Sequence, residues 1–518
     1  MPSQCEGIYV CAVAHAMALL REARNAPRII DSTHRTAHTD WQTQGRRIEL
    51  AHLRTVRPAG VRAPPAFGNS RPLTKEQDML RNSGSQSPSG SPGIADLPHL
   101  GPVEAEHVQR LIATHAAVVG VVGQGYVGFG LAQRAAQVGF CTVGVDINPS
   151  AVLDCIRRNE CDAYNATTDP AVLAECDVIL IAVPTPTRID DGVRHSDLGY
   201  VVAAAEAIAA QFADDRRPRL VVSESTYAPG TTREVVMPIL RRTRGGAGIA
   251  VGYSPERIDP GNGRFDLSAI PKVVSGADDC AAALTACFYR ELVDQVVPAS
   301  SMEAAEATKL LENTFRFVNI AFAQEFDEYC EALRLSSHEI TRLAATKPFG
   351  YLPFFAGAGV GGHCIAEDPY FLYDSMREHR VAAPLVATAM MNQENRPAVI
   401  VRRITERLGS CSIRAAHILV LGVAYKPDIG DTRRSPAFPV IDLLERAGAA
   451  VDYHDPHVPA FGARTSVDLE SADPRAYDLV VVLTEHSAFD QRALQARGWD
   501  PYRLSAPATA TAGPPRWR

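Results

Sequence analysis

The sequence has few of the features that mark several common protein classes. No C-x-x-C pair occurs among its 11 cysteines, and no group of cysteine and histidine residues has the spacing of a zinc site. No run of about 20 apolar residues is present, which argues against a membrane-spanning helix. Charge is nearly balanced, since 52 Lys and Arg face 59 Asp and Glu, for a net charge of −7. We therefore expect no metal site, no membrane and no nucleic-acid partner.

Cysteine usage also bears on the compartment. The 11 cysteines of this 518-residue chain are too sparse for a secreted disulfide scaffold. Residues 8–20 are apolar enough to resemble the core of a signal peptide, but Glu6 precedes them and no basic segment does. We expect a cytoplasmic protein with reduced thiols, in which a single cysteine is free for chemistry.

The N-terminal part of the chain differs from the rest. Residues 57–98 are rich in proline, and residues 83–92 are mostly serine, glycine and proline. Such a composition buries too little apolar surface to form a core. We predict a disordered, low-complexity extension over residues 1–115, and one hypothesis places the true start downstream, for example at Met79.

From residue 116 onward, short apolar runs alternate with amphipathic stretches, which is the pattern of a doubly wound α/β sheet. Residues 301–335 have apolar positions at helical spacing and predict one long helix, and Pro397 is interpreted as a helix start. A second alternation begins at His417. The expected fold class is α/β, with two Rossmann-like doubly wound domains joined by a central helical domain. The expected bounds are 116–300 for the first domain, 301–408 for the central domain, 409–504 for the second Rossmann-like domain and 505–518 for a loose tail.

The loop after the first predicted strand has the pattern G-x-G-x-x-G. It comprises Gly123, Gly125, Tyr126, Val127 and Gly128. The three glycines suit a tight turn, a close approach of pyrophosphate to the backbone, and close packing of helix on strand. Asp146 ends the next predicted strand, where a carboxylate bonds ribose hydroxyls and repels a 2′-phosphate. This combination predicts an NAD site; the alternative is a loop that only turns the chain.

A second glycine-rich run, residues 357–362, leads to Cys364. Glycines at this place allow a substrate to approach the backbone. An isolated cysteine is more often buried and inert, but a thiol near a dinucleotide site suits oxidation through a thiohemiacetal to a thioester. Asp368 follows four residues later and is either part of this chemistry or a helix N-cap.

Seven motifs occur in a recognisable order. They are residues 123–128, 183–186, 225–232, 253–262, 309–313, 361–364 and 425–435. In this order they resemble the UDP-glucose/GDP-mannose dehydrogenase family, and within it the UDP-N-acetyl-hexosamine 6-dehydrogenases, over roughly residues 116–500.

The resemblance implies a four-electron oxidation of a sugar C6 hydroxyl to a carboxylate, with two NAD used in sequence. It implies that Cys364 is the nucleophile that captures the aldehyde, and that Asp368 works on proton transfer and water. Glu256 matches the acid that assists thioester hydrolysis, and Thr226 matches a threonine that orders water beside the nicotinamide.

Lys309 and Asn313 match the family's pair on the long helix, which binds the sugar and stabilises developing oxyanions. Their i, i+4 spacing independently places both side chains on one face of a helix. A lysine there would also favour the thiolate of Cys364. Each of these roles has a structural alternative: Lys309 would be a solvated helix residue, Glu256 a surface acid and Thr226 the end of a strand.

The C-terminal α/β unit resembles the family's UDP-binding domain. That match implies Gly361 and Lys426 as substrate contacts, and Arg433 as a contact of the cofactor or the diphosphate. Surface salt bridges are the alternative for Lys426 and Arg433. Thr185 is implied as a cofactor contact. In the family the long helix is the core of a homodimer, so a homodimer is implied as well.

The chain also departs from the family pattern. Ala358 and Ala366 stand where the family usually has proline, which softens the loop without removing its chemistry. Residues 498–518 lack the usual closing strand pattern, so we expect the UDP-binding domain to be incomplete at its end.

The function predicted is oxidation of UDP-N-acetylglucosamine or UDP-N-acetylmannosamine to the uronate, as a precursor of surface polysaccharide. Residues 259–262 and 346–350 resemble the acetamido-sugar branch. One alternative is a UDP-glucose 6-dehydrogenase, and another is a nucleotide-sugar-binding protein with impaired catalysis. An ordinary two-electron dehydrogenase is a third, but it would not need Cys364.

Overall fold

The computed structural model describes residues 100–190, 193–212, 215–242, 248–258 and 266–504. All of them belong to one structural unit. Three expectations lie outside the described residues: the extension up to residue 99, the 259–262 run and the 505–518 tail.

Helix α1 (Pro102–Ala113) corrects the boundary predicted for the N-terminal extension. Its Val108 and Ile112 are buried in the first hydrophobic core. The helix begins with a proline, and the Glu104 carboxylate accepts a hydrogen bond from the Gly101 backbone N–H at 2.8 Å. The low-complexity composition ends before this turn, so the prediction of disorder up to residue 115 is wrong for residues 102–113.

The first sheet is a doubly wound sheet with an antiparallel extension. Its eight strands are β1 (Val118–Val122), β2 (Cys141–Val145), β3 (Tyr164–Thr167), β4 (Val178–Ile181), β7 (Arg219–Ser223), β8 (Ile249–Tyr253), β9 (Lys272–Gly276) and β10 (Val296–Pro298). A separate hairpin between β4 and β7 consists of β5 (Thr187–Asp190) and β6 (Val193–Ser196). The spatial order is β10-β9-β8-β7-β4-β1-β2-β3, and β9 runs antiparallel to β8. From β3 to β8 this is the dinucleotide-binding order, in which the direction of winding reverses between β1 and β4.

Helices pack against both faces of this sheet. They are α2 (Tyr126–Gln137), α3 (Pro149–Arg158), α4 (Gly199–Ala210), α5 (Met237–Arg241) and α6 (Asp279–Leu292), with a π-helical turn at Thr232–Val236. In β1, Val119 and Val121 join one hydrophobic cluster and Val122 joins the other. Alternate side chains point to opposite faces of a strand, so this sheet has a core on each side.

The central part of the chain is helical, as predicted. Its helices are α7 (Met302–Ala332), α8 (Ser337–Ala344), α9 (His363–Glu378) and α10 (Pro384–Leu408). Helix α7 has 31 residues and begins where Ser301 Oγ accepts a hydrogen bond from the Ala304 N–H at 3.1 Å. Helices α9 and α10 pack on α7 through a cluster that includes Phe317, Tyr370 and Met390. The predicted long helix is confirmed.

Pro397 lies inside α10 and not at its start. The interpretation of Pro397 as a helix start is therefore wrong. Proline removes one intrahelical hydrogen bond, but the burial of Arg396 and Ile400 beside it keeps this turn packed against the rest of the protein.

The second sheet forms a smaller parallel unit. Its strands are β11 (His417–Leu421), β12 (Ala450–His454), β15 (Leu479–Val482) and β16 (Tyr502–Arg503). Its helices are α11 (Ala437–Arg446) and α12 (Gln491–Ala496). Strands β13 (Ala460–Phe461) and β14 (Arg464–Thr465) form a separate antiparallel ribbon. The order is β12-β11-β15-β16. The predicted α/β class with two Rossmann-like sheets is thereby confirmed.

Strand β16 corrects the expectation that the last unit is incomplete. Tyr502 and Arg503 pair in parallel with Val481 and Val482 of β15. Trp499, 1% exposed, anchors the preceding turn in a hydrophobic cluster. A two-residue strand has too little pattern to be found in a sequence, which explains the miss.

Within the residues that the structure describes, no helix combines the length and apolar character needed to cross a bilayer.

Candidate active site

The glycine-rich loop lies at the carboxyl end of β1, at the switch point of the sheet. A Cβ on Gly128 would lie 1.8 Å from the Gly123 carbonyl oxygen, so only glycine allows α2 to pack this closely. A Cβ on Gly125 would meet nothing within 4 Å, so the space above the helix N-terminus is open. No side chain caps that terminus, and its N–H groups suit an anion such as pyrophosphate. Beside the loop, Tyr126 is exposed and Val127 packs against the core.

Asp146 follows β2 and lies next to this loop. Its Oδ2 accepts a hydrogen bond from the Gln124 N–H at 2.7 Å, and its Oδ1 accepts one from the Asn148 N–H at 2.8 Å. These two bonds hold the carboxylate in place while the residue stays partly open to solvent. An open cradle at Gly125 beside a fixed carboxylate fits a dinucleotide with a free ribose 2′-hydroxyl.

Three further loops follow the neighbouring strands β4, β7 and β8 at the same edge of the sheet. Thr185 follows β4 and is partly exposed, Thr226 follows β7 and is buried, and Glu256 follows β8 and is 4% exposed. Ser225 Oγ donates a hydrogen bond to the Val183 carbonyl at 2.7 Å and ties the first two loops together. The parallel topology thus brings these predicted residues to one crevice.

Helices α7 and α9 bring the predicted catalytic side chains together. Asn313 Nδ2 donates a hydrogen bond to Asp368 Oδ2 at 2.5 Å. The charge of Lys309, which is 7% exposed, acts on Cys364, Asp368 and Glu256 alike. Residues from three separate motifs therefore share one electrostatic environment.

Cys364 lies in the first turn of α9, directly after the glycine run. The residue is exposed to solvent, yet desolvation by the surrounding protein raises the pKa of its thiol. The positive charge of Lys309 opposes this shift, Asp368 adds to it, and Arg433 again opposes it. The thiol is therefore held mainly protonated at neutral pH, and a reaction as a nucleophile would require a nearby group to take its proton.

Asp368 is suited to that task. It is 3% exposed, and burial raises the pKa of its carboxyl to about 7, although Lys309 and the hydrogen bond from Asn313 act in the opposite direction. A carboxyl with this pKa is populated in both protonation states near neutral pH, as a general acid–base group requires. Asp368 lies within α9 and not at its N-cap, which is Gly362.

Glu256 is held by a buried network that sequence reasoning missed. Its Oε1 accepts hydrogen bonds from the N–H groups of Arg257 and Ile258 at 2.6 and 2.8 Å, and Lys272 Nζ contacts its Oε2. Burial alone would raise the pKa of Glu256, but the charge and hydrogen bond of Lys272, the charge of Lys309 and the hydrogen bond from the Arg257 N–H together outweigh burial and leave the pKa below its ordinary value. Glu256 is therefore a carboxylate at neutral pH.

Lys272 pairs with a second carboxylate in this network. Its Nζ lies 2.7 Å from Glu224 Oε2, and the Tyr289 hydroxyl donates a hydrogen bond to Glu224 Oε1. Burial raises the pKa of Glu224 to about 7. Lys272 stands in a strand and Tyr289 in a helix, and neither lies in a motif that would have signalled it.

Glu306 is another buried carboxylate without a sequence signal. From α7 it accepts hydrogen bonds from the N–H of Gly230 at 2.6 Å and from the N–H and hydroxyl of Thr232 at 2.8 and 2.6 Å. The 225–232 motif is thus fastened to the helix that carries Lys309 and Asn313.

The glycine run before Cys364 packs against the C-terminal unit. A Cβ on Gly361 would lie 2.5 Å from Tyr425 Cβ and 2.9 Å from the Arg434 carbonyl oxygen, and one on Gly362 would lie 2.9 Å from the Tyr425 ring. The run therefore permits close packing against the C-terminal unit. The Gly362 N–H also donates a hydrogen bond to the Arg433 carbonyl at 3.0 Å.

Two predicted ligand contacts, Lys426 and Arg433, lie in the 425–435 motif of the C-terminal unit. The exposed Arg433 pairs with Asp431 at 2.6 Å, and its charge reaches Cys364. Lys426 is partly buried in the same segment. Both residues therefore lie near the N-terminus of α9.

A histidine cluster lies further along the C-terminal unit. Ligand atoms of Asp428, His457 and His486 lie within 4.8 Å of one another. His486 Nδ1 accepts a hydrogen bond from the Asp428 N–H at 2.9 Å, and its Nε2 contacts Asp455 at 3.0 Å. Both ring nitrogens of His486 are thus engaged by protein groups.

Comparison with known proteins supports the same assignment in each part of the chain. Models of the UDP-glucose/GDP-mannose dehydrogenase family match residues 152–293 as the NAD binding domain, 303–394 as the central domain and 419–500 as the UDP binding domain.

Individual relatives extend over most of this chain. It is 31% identical to a UDP-N-acetyl-D-mannosamine dehydrogenase of Methanococcus maripaludis, over 71% of this chain and 86% of the relative. It is 30% identical to a UDP-N-acetyl-D-glucosamine 6-dehydrogenase of Pseudomonas aeruginosa, over 72% of this chain and 91% of the relative. The solved structure of a UDP-D-ManNAc dehydrogenase from Pyrococcus horikoshii matches with a TM-score of 0.65 at 30% identity, covering 74% of this chain and 92% of that one.

The resemblance inferred from the motifs is thereby confirmed, as is NAD as the cofactor. The NAD-binding match covers the first sheet from residue 152 onward and so begins after the dinucleotide loop, the central-domain match includes Lys309, Asn313 and Cys364, and the UDP-binding match covers most of the second sheet. The chain belongs to the UDP-glucose/GDP-mannose dehydrogenase family, and it is an NAD-dependent dehydrogenase of nucleotide sugars.

Proposed function

We propose that the protein oxidises C6 of UDP-N-acetylglucosamine or UDP-N-acetylmannosamine to the uronate, through a thiohemiacetal and a thioester on Cys364. The observation that carries this proposal is the placement of Cys364 in the first turn of α9, beside Asp368 and within the field of Lys309. When bound, NAD accepts one hydride from the sugar in each of two oxidations.

In the first oxidation the C6 hydroxyl loses a hydride and a proton and becomes an aldehyde. Asp368 takes the proton, since its pKa of about 7 leaves much of it as carboxylate at neutral pH. The ammonium of Lys309 and the amide of Asn313 stabilise negative charge on the C6 oxygen.

In the second oxidation the Cys364 sulfur bonds to C6, and the thiol proton passes by way of Asp368 to the C6 oxygen. The thiohemiacetal then loses a hydride from C6 and its hydroxyl proton, which leaves a thioester. Water adds to the thioester carbon, the C–S bond breaks, one water proton goes to the sulfur and the other to solvent, and a carboxylate and the thiol result.

Glu256 and Thr226 act at the hydrolytic step in this proposal. Glu256 is a carboxylate held by three donors, so it supports hydrolysis by its negative charge and by its effect on Lys309. Thr226 orders the attacking water. Thr185 contacts the cofactor.

The UDP-sugar is bound between the central helices and the C-terminal unit in this proposal. Lys426 contacts the UDP-sugar, Arg433 neutralises the diphosphate or the cofactor phosphates, and Gly361 brings the backbone next to the sugar. The two relatives named above act on acetamido sugars, which supports this substrate class. The product is a uronate precursor of surface polysaccharide.

Acid formation by the wild type and by Cys364→Ala tests the proposal. Each is incubated with NAD and, in turn, UDP-GlcNAc, UDP-ManNAc and UDP-glucose, and the uronate is quantified by mass spectrometry. Uronate from an acetamido sugar with the wild type only supports the proposal. Uronate from UDP-glucose alone would favour the UDP-glucose alternative, and uronate from Cys364→Ala would exclude the covalent route.

We also propose a homodimer built on α7. Large apolar side chains form an exposed stripe along this helix, at a spacing that places them on one face. They are Leu311, Phe315, Phe322, Tyr329 and Leu333. A patch of this kind suits an interface with a second copy. Light scattering should give twice the mass of the chain, and Phe322→Glu should shift it to the monomer; a monomeric wild type would refute the dimer.

A reducing compartment such as the cytoplasm suits this mechanism, because Cys364 must remain a thiol. The cysteines among the described residues are free.

A further inference from the structure

Glu367 is a buried carboxylate at which three parts of the chain meet. It is 3% exposed and lies on α9 between Cys364 and Asp368. Its Oε2 accepts hydrogen bonds from the Thr187 N–H at 3.0 Å and from the Thr187 hydroxyl, and its Oε1 accepts one from Arg434 Nε at 2.6 Å. Thr187 begins β5 in the NAD-binding unit, and Arg434 belongs to the UDP-binding unit.

The partners of Glu367 also contact each other. Arg434 Nη2 and Arg194 Nη1 donate hydrogen bonds to Thr187 Oγ1 at 3.3 and 2.9 Å. One carboxylate therefore lies in a cluster with two guanidinium groups, one from the hairpin β5–β6 and one from the C-terminal unit. This arrangement fixes the orientation of the carboxylate.

The backbone beside Arg434 follows α9 closely as well. The Arg433 carbonyl accepts the Gly362 N–H at 3.0 Å, and Arg434 has a φ of 53°, a left-handed conformation that is uncommon for a residue with a side chain. The contact at Glu367 is thus the side-chain part of a larger join between the catalytic helix and the C-terminal unit.

An ordinary surface ion pair contributes little and would explain nothing further. Glu367 differs because it is buried and because its hydrogen-bond donors come from two other units of the chain. It is also adjacent to Asp368 and one helical turn from Cys364, so a shift of the α9 backbone at Glu367 also moves the proposed reacting groups.

We propose that Glu367 is a positioning residue that holds α9 against the NAD-binding and UDP-binding units at once, and so sets Cys364 and Asp368 between cofactor and sugar. This inference rests on the proposed role of Cys364. Reaction rates depend steeply on such placement, since a misplacement of about 1 Å can cost roughly 100-fold in rate.

The test compares Glu367→Gln with Asp374→Asn, a matched carboxylate-to-amide change on the same helix. Asp374 accepts a hydrogen bond from the Ser196 N–H at 3.1 Å and lies 3.5 Å from His195, so it joins α9 to the hairpin only. For each protein we would measure kcat, KM and the Kd of NAD. The rate at which iodoacetamide alkylates Cys364 is followed by peptide mass spectrometry.

We expect Glu367→Gln to lower kcat by about 10-fold or more, with the Kd of NAD changed less than about 3-fold, because placement and not binding is affected. Alkylation of Cys364 should become about 3-fold faster as the helix is released. Asp374→Asn should leave both rates near those of the wild type. Arg434→Gln should resemble Glu367→Gln, and the double variant should lose no more than the worse single variant.

Two results would overturn the inference. One is that kcat and the alkylation rate of Glu367→Gln both stay within about twofold of the wild type. The other is that the reductions in kcat caused by Glu367→Gln and Arg434→Gln add, as free energies, in the double variant. If the wild type oxidises no UDP-sugar, the proposed function fails, and the alkylation rates still decide the role of Glu367. If Glu367→Gln does not fold, Arg434→Gln and Arg434→Lys carry the comparison, with Lys expected to retain part of the rate.

Discussion

Asn313 of α7 donates a hydrogen bond to Asp368 of α9 at 2.5 Å, and this bond joins the two helices that carry the proposed reacting groups. The bond favours the carboxylate, so it opposes burial, which nevertheless raises the pKa of Asp368 to about 7. The bond thus sets the pH range in which Asp368 accepts protons.

The pH profile of kcat should reflect this bond. With a pKa of about 7, Asp368 becomes a base as the pH rises through 7, so kcat should increase over that range. Asn313→Ala removes a donor to a charged group, worth about 1.5 kcal/mol, which would move the rising limb up by about one pH unit. Asn319→Ala is the matched control, because among the described residues the Asn319 amide donates its hydrogen bond to the Phe315 carbonyl of its own helix. An unmoved limb in Asn313→Ala would show that Asp368 is not the titrating base.

Asp146 should control cofactor affinity and choice. Asp146→Ala removes the acceptor for the Gln124 and Asn148 N–H groups together with the carboxylate that we expect to contact the ribose. We expect the Kd of NAD to rise by about 10-fold or more, and the preference for NAD over NADP to fall. Fluorescence titration with each cofactor measures both, and Asp154→Ala on the exposed face of α3 is the control. Unchanged affinity would place the ribose elsewhere.

Two glycines of one run should respond differently to the same change. Gly361→Ala places a Cβ 2.5 Å from Tyr425 Cβ, whereas Gly357→Ala places one where nothing lies within 4 Å. We expect Gly361→Ala to cost about 1–3 kcal/mol of unfolding free energy and to reduce kcat, with Gly357→Ala close to the wild type. Chemical denaturation and steady-state kinetics report these effects. Equal behaviour of the two variants would contradict the close packing described above.

Lys272 should be essential to the fold around Glu256. Lys272→Met leaves Glu224 and Glu256 buried without their shared cation, at a cost of about 3–5 kcal/mol. Adding Glu224→Gln removes one of the two carboxylates and should restore part of that loss. Lys347→Met, on an exposed loop, should change stability little. If Lys272→Met and the wild type had the same denaturation midpoint, the ion pairs of Lys272 with Glu224 and Glu256 would have no structural role.

Much of the fold could be predicted from local pattern. The G-x-G-x-x-G loop, Asp146 and the apolar spacing of α7 are set by residues close in sequence, and each lies where we expected it. The boundary of α1 and strand β16 were missed, because both depend on contacts with distant parts of the chain: Val108 of α1 packs into the first core, and Tyr502 of β16 pairs with Val481. Pro397 was misread because its burial context overrides the usual meaning of proline.

The candidate site was predictable where a motif carries it and not elsewhere. Cys364, Lys309 and Asn313 come from recognisable spacings. Lys272 and Glu367 act through contacts between strands, helices and loops that lie far apart in the chain, and no local pattern distinguishes them from other charged residues.

The number of NADH formed per sugar tests the central claim most directly. A limiting, weighed amount of UDP-GlcNAc or UDP-ManNAc is run to completion with excess NAD, and absorbance at the NADH band is compared with the sugar consumed. Two NADH per sugar, with a uronate as product, is the result that a four-electron oxidation through Cys364 predicts. One NADH per sugar, with an aldehyde as product, would contradict it.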